Sequence, residues 1–157
     1  MLIEYKPGDV AHEAKLFGWW LKLVQDDEMR NVFTCPQTPY DFYRFFDRPN
    51  SLYYAERDGA IWFAAWFEHF FAGAMYSLWV SSDMRQTKEM LSTGWDSLSV
   101  GLERWPMLSC LVNKDFVESA LAFGYTVVGI LPKAMNGNDM VLCALTRENF
   151  RRPNVAR

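Results

Sequence analysis

Apolar residues in the first fifty positions recur with helical spacing and predict two helices after a short strand. The strand covers residues 2–5, and Pro7-Gly8-Asp9 then opens a helix that ends at the acidic residues 26–28. One stripe of this helix carries Val10, Ala14, Phe17, Leu21 and Val24. A second helix begins at Thr38-Pro39, and its buried side carries Phe42, Phe45 and Phe46.

Residues 51–80 predict three strands in a meander. Asp58-Gly59 separates the segment 51–56 from an apolar run that starts at residue 60, and this pair favours a tight turn with positive φ. The run from 60 to 80 has 21 residues, which is close to the length of a membrane span. Because Glu68 and His69 near its middle would make a span costly, two strands around a turn are the better interpretation, the second at 76–80.

The second half of the chain predicts alternating helices and strands. They are a helix at 84–103, a strand at 108–112, a helix from Asn113 to Gly124, and strands at 126–134 and 140–146 around a turn at 136–139. The apolar face of the first of these helices consists of Met84, Leu91, Trp95, Leu98 and Leu102. The apolar residues of the second are Phe116, Ala120 and Phe123.

The resulting order, β-α-α-β-β-β-α-β-α-β-β, predicts an α+β fold with a mixed, mainly antiparallel sheet flanked by helices. The strand–helix–strand step from 76 to 112 makes a right-handed parallel crossover within that sheet. With 157 residues the chain suits one domain, expected over 1–150, followed by a short basic tail at 151–157.

Composition and charge exclude several classes of function. A formal net charge of −3 argues against a nucleic-acid-binding surface. The three cysteines form no CxxC pair and are interpreted as free thiols, and two histidines provide no metal-ligand cluster. The first residues lack a basic segment followed by an apolar one, so a cytoplasmic protein is expected, without a membrane partner.

The order of elements and three short motifs resemble the GNAT superfamily of N-acetyltransferases. The motifs are the meander from Tyr53 to Val80, the segment Val80-Ser-Ser-Asp-Met-Arg85, and Asn113 followed by Phe116 and Gly124-Tyr125. The resemblance covers nearly the whole chain and implies a GNAT-like acyl-CoA N-acyltransferase fold with acetyl-CoA as cofactor. It implies cofactor contacts from Trp79, Val80, Arg85, Gln86, Thr87, Lys88, Asn113 and Phe116.

The chemistry of a thioester suits such a fold. A helix N-terminus offers unpaired N–H groups to phosphate oxygens, and parallel strands that splay at their ends leave a slot for the pantetheine arm. The enzyme must hold the thioester beside an incoming amine, which has to lose a proton. The amine can belong to a protein or to a small molecule.

Two positions depart from the family pattern. Lys88 and Met90 stand where the family's phosphate loop carries glycines, which let the backbone approach the pyrophosphate. Ala120 stands where the family often has a tyrosine as general acid. Both departures count against catalysis, and the first also counts against the family's usual way of binding CoA.

Three candidate residues each have a structural alternative. Glu68 is the candidate catalytic base, and its alternative is a solvent-facing carboxylate at a strand end. Arg85 is either a phosphate ligand or a surface arginine near a helix start. Asn113 is a helix cap, a ligand contact, or both.

Adjacent tryptophans suggest a surface for a protein partner or an acceptor. Trp19 and Trp20 point about 100° apart on a helix, so one of them is expected outside the core. With Tyr40 and Tyr43 they form the predicted aromatic patch.

Two functions follow as hypotheses. The first is transfer of an acetyl or other acyl group from CoA to an amine. The second is a GNAT-fold protein that has lost catalysis and binds another protein through the aromatic patch. A third interpretation, a purely structural component of an assembly, shares every sequence feature with the second. The chain is also similar to GNAT-like proteins of tailed bacteriophages, which implies modification or inhibition of a host protein in the host cytoplasm.

Overall fold

Strands and helices alternate along the chain. The computed structural model describes residues 1–26, 51–85, 87–135 and 137–152. The strands in these residues are β1 Ile3–Glu4, β2 Leu52–Arg57, β3 Ala60–Phe70, β4 Gly73–Val80, β5 Met107–Asn113, β6 Thr126–Met135 and β7 Asn138–Thr146. The helices are α1 Val10–Gln25, α2 Lys88–Arg104 and α3 Val117–Ala122, with single-turn 3-10 helices at Ser82–Met84 and Lys114–Phe116.

The element order differs from the predicted one. The second predicted helix, from Thr38 through Phe46, lies outside the described residues, as do Tyr40 and Tyr43. The two 3-10 helices, which precede α2 and α3, are additions to the predicted order. The architecture is nevertheless the α+β arrangement that the sequence predicts, a mixed sheet with three helices in the described part of the chain.

The strands of the described residues form one sheet in the order β1-β2-β3-β4-β5-β7-β6. All neighbouring pairs are antiparallel except β4 and β5, which run parallel because α2 carries the chain back between them. The predicted parallel crossover is therefore confirmed.

Two tight turns organise the meander. Asp58 and Gly59 join β2 to β3 with φ of 52° and 78°, the left-handed conformation that a two-residue hairpin turn requires. The apolar run from 60 to 80 divides into β3 and β4 around a turn at Phe71, as predicted. No helix in the described part of the chain has the length and apolar character that a membrane crossing needs.

Helix α1 buries a different stripe from the one predicted. Asp9 caps the helix by accepting a hydrogen bond from the His12 N–H at 3.2 Å, as the Pro-Gly-Asp start suggests. Val10 and Leu21 of the predicted stripe are exposed, however. The buried residues are Leu16, Trp19, Trp20 and Leu23. They also have helical spacing and offer larger apolar area, so the helix rotates to bury the tryptophans.

The prediction that Trp19 and Trp20 would contribute to a surface patch was wrong. Their exposed fractions are 7% and 1%, and both belong to the core cluster between α1 and the sheet. The buried stripe of a helix that packs on a sheet is at least 100° wide, so two adjacent residues fit within it. The Trp19 indole N–H donates to the Ser81 hydroxyl at 2.9 Å, and Trp20 stacks on Phe17.

Helices α2 and α3 cover the other face of the sheet. Trp95, Leu98 and Leu102 of α2 are buried there as predicted, whereas Leu91, in its first turn, is exposed. Gly101 allows α2 to lie close to β3, because a Cβ at this position would collide with the Phe67 ring. The sheet thus separates two cores, and the site described next opens on the α2–α3 side.

Candidate functional site

Strands β4 and β5 separate after a short pairing and leave a slot. They pair only where Ala74 lies opposite Leu108 and Met75 opposite Ser109. Beyond this point β4 continues along β3 as far as Val80, while β5 continues along β7 as far as Asn113. The slot is therefore closed at the Met75 end and open at the end where the chain leaves β4 for α2.

A glycine fixes the closed end of the slot. Gly73 begins β4, and a Cβ built on it would lie well inside 3.0 Å of the Met107 carbonyl oxygen, a separation that real Cβ atoms essentially never show. The obstacle is backbone, which cannot rotate away. Only glycine therefore lets β4 approach β5 closely enough to pair at the next residue.

The slot contains a cavity of about 150 Å³, comparable to a dry apolar cavity that holds benzene. Strand β4 supplies one wall, β5 the other, and α3 with its flanking residues covers the top. The lining residues are mostly apolar: Tyr76, Ser77, Leu78, Cys110, Leu111, Val112, Phe116, Ser119, Ala120, Phe123 and Tyr125. An apolar chain with a few hydrogen-bonding groups suits this shape.

Buried polar groups lie in the walls of the cavity. The Tyr76 hydroxyl is 2.8 Å from the Ser97 hydroxyl. Burial raises the pKa of Tyr76, of the Cys110 thiol and of Tyr125, so all three stay protonated and neutral near pH 7. They can serve as hydrogen-bond donors but not as nucleophiles or bases.

The predicted phosphate-binding segment lies at the open end. The Thr87 hydroxyl caps α2: it accepts from the Met90 N–H at 3.1 Å and donates to the Met84 carbonyl at 2.8 Å. Lys88 is exposed in the first turn, and Gln86 lies outside the described residues. The start of α2 thus has positive partial charge and a neighbouring cation.

Arg85 lies between two elements at this end. Its guanidinium is 3.7 Å from the carboxylate of Asp26 at the end of α1, and its side chain is mostly buried. This position fits both interpretations of Arg85, a phosphate ligand and a surface arginine near a helix start. Arg57, which the sequence reasoning did not consider, adds a cation from the β2–β3 hairpin, 3.7 Å from Glu89.

The other predicted cofactor residues divide between the slot and the cores. Phe116 lines the cavity, and Asn113 ends β5 and accepts a hydrogen bond from the Asp115 N–H at 3.1 Å, so it is a cap. Trp79 packs with Trp66 in the core on the α1 side, and Val80 is buried on the α2 side. Neither Trp79 nor Val80 lines the cavity, although their backbone continues the β4 wall.

Glu68 lies beside the closed end, on the opposite face of the sheet. It is half-buried and pairs across β3 and β4 with Met75, the last residue before the strands separate. Phe67 packs in the core on the α2 side, so strand alternation directs Glu68 to the α1 side. His69 is exposed, and in the described ranges no three His, Cys, Asp or Glu side chains gather as they would around a metal ion.

Sequence reasoning missed most of the slot lining. Leu78, Leu111, Val112 and Ser119 carry no chemical signal of their own, and only the strand register brings them together. Cys110 and Cys143 lie opposite each other on β5 and β7 as free thiols, while Cys35 lies outside the described residues.

Comparison with solved structures identifies the architecture. Spermidine N-acetyltransferase from Vibrio cholerae, in complex with CoA and spermine, matches with a TM-score of 0.73 at 8% sequence identity, over 95% of this chain and 96% of that chain. The acetyltransferase of the GNAT family from Streptococcus pneumoniae matches with a TM-score of 0.69 at 12% identity, over 93% and 98%. Ribosomal-protein-alanine N-acetyltransferase from Brucella melitensis gives 0.68 at 14%, over 93% and 99%.

Sequence comparison adds nothing to this result, because no protein-family model and no curated protein sequence matches the chain. The phage origin also stays a prediction. The structural matches extend over nearly the whole of both chains. The chain has the GNAT N-acetyltransferase fold.

Proposed function

We propose that this protein is an N-acyltransferase that moves an acetyl or other acyl group from acyl-CoA to an amine. The slot between β4 and β5 carries the proposal, because it offers an apolar channel with strand backbone on both sides. Beyond Met75 the described pairing of β4 is with β3, so the other edge of β4 borders the slot, where strand backbone can bind the amides of a pantetheine arm.

The direction of the arm follows from the two ends of the slot. The start of α2 at the open end suits the phosphates, since its N–H groups and Lys88 provide positive charge without glycines. To bind phosphate, Arg85 has to exchange the Asp26 carboxylate for a phosphate oxygen. The thioester then lies towards the closed end, among Tyr76, Cys110 and Tyr125.

Transfer at this position requires an oxyanion donor and a base. A backbone N–H of β4 beside the thioester carbonyl would stabilise the tetrahedral oxyanion. The amine approaches from the α1 side, where Glu68 lies, and Glu68 would take its proton directly or through water. The amide C–N bond forms, the C–S bond breaks, and the thiolate takes up the proton that the amine has released.

The alternative function, binding of a protein partner by a catalytically inactive GNAT fold, has lost its predicted contact surface, while Lys88, Met90 and Ala120 still count against catalysis. Trp19 and Trp20 are core residues, and Tyr40 and Tyr43 lie outside the described residues.

Calorimetric titration with acetyl-CoA tests the proposal through two variants on α3. Ser119 is exposed and lines the cavity, so Ser119→Trp would place an indole in the slot without disturbing the core. Glu118 is the exposed neighbour that does not line the cavity, and Glu118→Trp is the matched control. We expect wild type and Glu118→Trp to bind alike and Ser119→Trp to bind at least tenfold more weakly. Wild type that binds no acetyl-CoA at millimolar concentration would refute the proposal.

A further inference from the structure

The two edges of the sheet differ in length and in chemistry. Strand β1, at one edge, has two residues and ends in the charged Glu4. Strand β6, at the other edge, has ten residues, and the first six, Thr-Val-Val-Gly-Ile-Leu, include no charge and no proline. Native proteins keep exposed edge strands short, charged or interrupted by proline, because an open edge pairs readily with another strand. The β1 edge follows this rule, and the segment 126–131 of β6 does not.

The apolar side chains of this segment are exposed. Val127, Val128, Ile130 and Leu131 have exposed fractions between 42% and 62%. Within the described residues β6 pairs with β7 and with no other strand. The outer edge of β6 can therefore accept a further strand.

These side chains lie on both faces of the sheet. Val127 lies opposite Cys143 of β7. Ile130 lies opposite Val141, and both of these β7 residues belong to the core on the α2 side. Since opposite residues share a face, Val127 and Ile130 lie on the α2 side, and strand alternation places Leu131 on the other face. Apolar residues on both faces are typical of a strand inside a sheet, so the segment has the character of an interior strand in an edge position.

We propose that β6 pairs with β6 of a second copy of this chain, so that two seven-stranded sheets join into one across a two-fold axis. This inference does not depend on the proposed function. A two-fold axis pairs the segment with itself in the antiparallel direction, so the segment has to be complementary to itself.

A bulge gives the segment this self-complementarity. Val127 and Gly129 lie opposite consecutive residues of β7, so Val128 is the extra residue of the bulge. With the two-fold axis at Gly129, Ile130 of one copy lies opposite Val127 of the second copy. The two residues share a face, as opposite residues in a sheet must. Without the bulge they would lie on different faces, and this pairing could not form.

The charge distribution permits two copies to meet at this edge. The chain has a formal net charge of −3, whereas the segment 126–131 contributes no charge. The nearest cation in β6 is Lys133. It lies four residues from Gly129, so the two copies of Lys133 would be about 27 Å apart along the paired strands. Pairing therefore brings no like charges together within the segment.

A two-fold pair uses the apolar patch twice. The four exposed side chains amount to roughly 300 Å² per chain, the size at which an apolar patch on a monomer begins to mark an interaction site. Two copies together bury up to about 600 Å². That is half of the roughly 1,200 Å² of a small specific interface, and such interfaces are a little more than half apolar. The backbone edges and Thr126 supply the polar part.

Sedimentation of the wild type tests the proposal first. At tens of micromolar it should sediment as a species of twice the chain mass of 18.3 kDa. Ile130→Lys should raise the dimer dissociation constant at least about a hundredfold, because two lysines would be buried beside apolar side chains. Ile130 is exposed in the single chain, so this variant should keep the circular dichroism spectrum of wild type. Val10→Lys, at an exposed valine of α1, is the matched control and should stay dimeric.

A second variant tests the register. Val127→Glu alone should also be monomeric, because two glutamates would be buried in the pair. An equal mixture of Val127→Glu and Ile130→Lys should form a heterodimer. In it the introduced lysine of one chain lies opposite the introduced glutamate of the other, while the second pair keeps the native isoleucine and valine.

The outcome is independent of acyl-CoA binding. In the described part of the chain the cavity lining includes no residue of β6, so all of these variants should bind acetyl-CoA as wild type does. Wild type that stays monomeric at hundreds of micromolar would overturn the inference and leave the edge to a different protein. A dimer that survives Ile130→Lys would place the interface elsewhere and overturn it too. So would an equal mixture of the two variants that forms no heterodimer.

Discussion

Substitution of Gly73 by alanine should damage the closed end of the slot. The new methyl group would meet the Met107 carbonyl oxygen, with the Met107 carbonyl carbon at 3.1 Å and its Cβ at 3.3 Å. The carbonyl belongs to the backbone of β5, so relief requires the two strands to move apart. The parallel pairing of Ala74 with Leu108 begins one residue later and would be lost with this movement.

The expected cost lies in the upper part of the range for overpacking, about 2–3 kcal/mol. For a domain of this size each kcal/mol lowers the melting temperature by roughly 2–4 °C, so Gly73→Ala should melt about 4–12 °C below wild type. Acetyl-CoA should also bind more weakly, because the slot loses its closed end.

Thermal unfolding followed by circular dichroism measures the effect, with Gly129→Ala as control. Gly129 also lies in a strand, has no positive φ, and has no atom within 4 Å of the position of an added Cβ. That variant should match wild type or gain about 0.5–1 kcal/mol. If Gly73→Ala had the same melting temperature as Gly129→Ala, the close approach of Gly73 to Met107 would not be what closes the slot.

Four further predictions concern binding, turnover and pH. Arg85→Ala should weaken acetyl-CoA binding by about 1–3 kcal/mol, because a charged hydrogen bond to phosphate is lost. Asp26→Asn should strengthen acetyl-CoA binding about two- to fivefold, because it removes the carboxylate that competes with phosphate for Arg85. Calorimetric titration measures both effects. Glu68→Gln should lower turnover by roughly 10²–10⁴ in an amine acetylation assay and leave acetyl-CoA affinity nearly unchanged. The melting temperature should fall as pH rises above about 9, because the folded chain retains protons that the unfolded chain releases from Tyr76, Tyr125 and Cys110.

Each of these predictions has an outcome that contradicts it. Equal acetyl-CoA affinity in wild type and Arg85→Ala removes this arginine from the site, and weaker binding by Asp26→Asn means that Asp26 supports the site instead of competing for Arg85. Full turnover in Glu68→Gln excludes Glu68 as the base. A melting temperature that stays constant or rises between pH 9 and pH 11 would show that the three buried groups do not govern alkaline stability.

Local patterns were sufficient to predict most of the sheet. The Asp58-Gly59 turn could be read from the sequence because positive φ at two successive residues demands such a pair. Glu68 and His69 correctly indicated strands in the long apolar run, since both lie at the half-buried or exposed end of β3. These features depend on residues that are neighbours in the chain.

Local patterns could not predict which of two apolar stripes of α1 would be buried. The stripe of Val10, Phe17 and Leu21 and that of Leu16, Trp19 and Trp20 have equally good spacing in α1. The second stripe packs against the sheet, because its tryptophans bury more apolar surface area. The wrong choice led directly to the wrong expectation of a surface tryptophan.

The slot depends on contacts between residues far apart in the chain. The resemblance implied splayed strands, but the residue at which β4 and β5 separate is fixed by Gly73 and Met107. The pairing of Arg85 with Asp26 spans α1 and the start of α2, and no local pattern indicates it. Tyr125 entered the sequence reasoning only as an aromatic after Gly124, because its place in the lining of the slot depends on the fold.

Amide hydrogen–deuterium exchange with and without acetyl-CoA tests the central claim, that the slot between β4 and β5 binds an acyl-CoA. Exchange reports on individual backbone N–H groups and on how readily they open. We predict that acetyl-CoA slows exchange at residues 76–80 and 110–113 and leaves the edge strand β6 unchanged. Unchanged exchange along both walls of the slot at saturating acetyl-CoA would contradict the account.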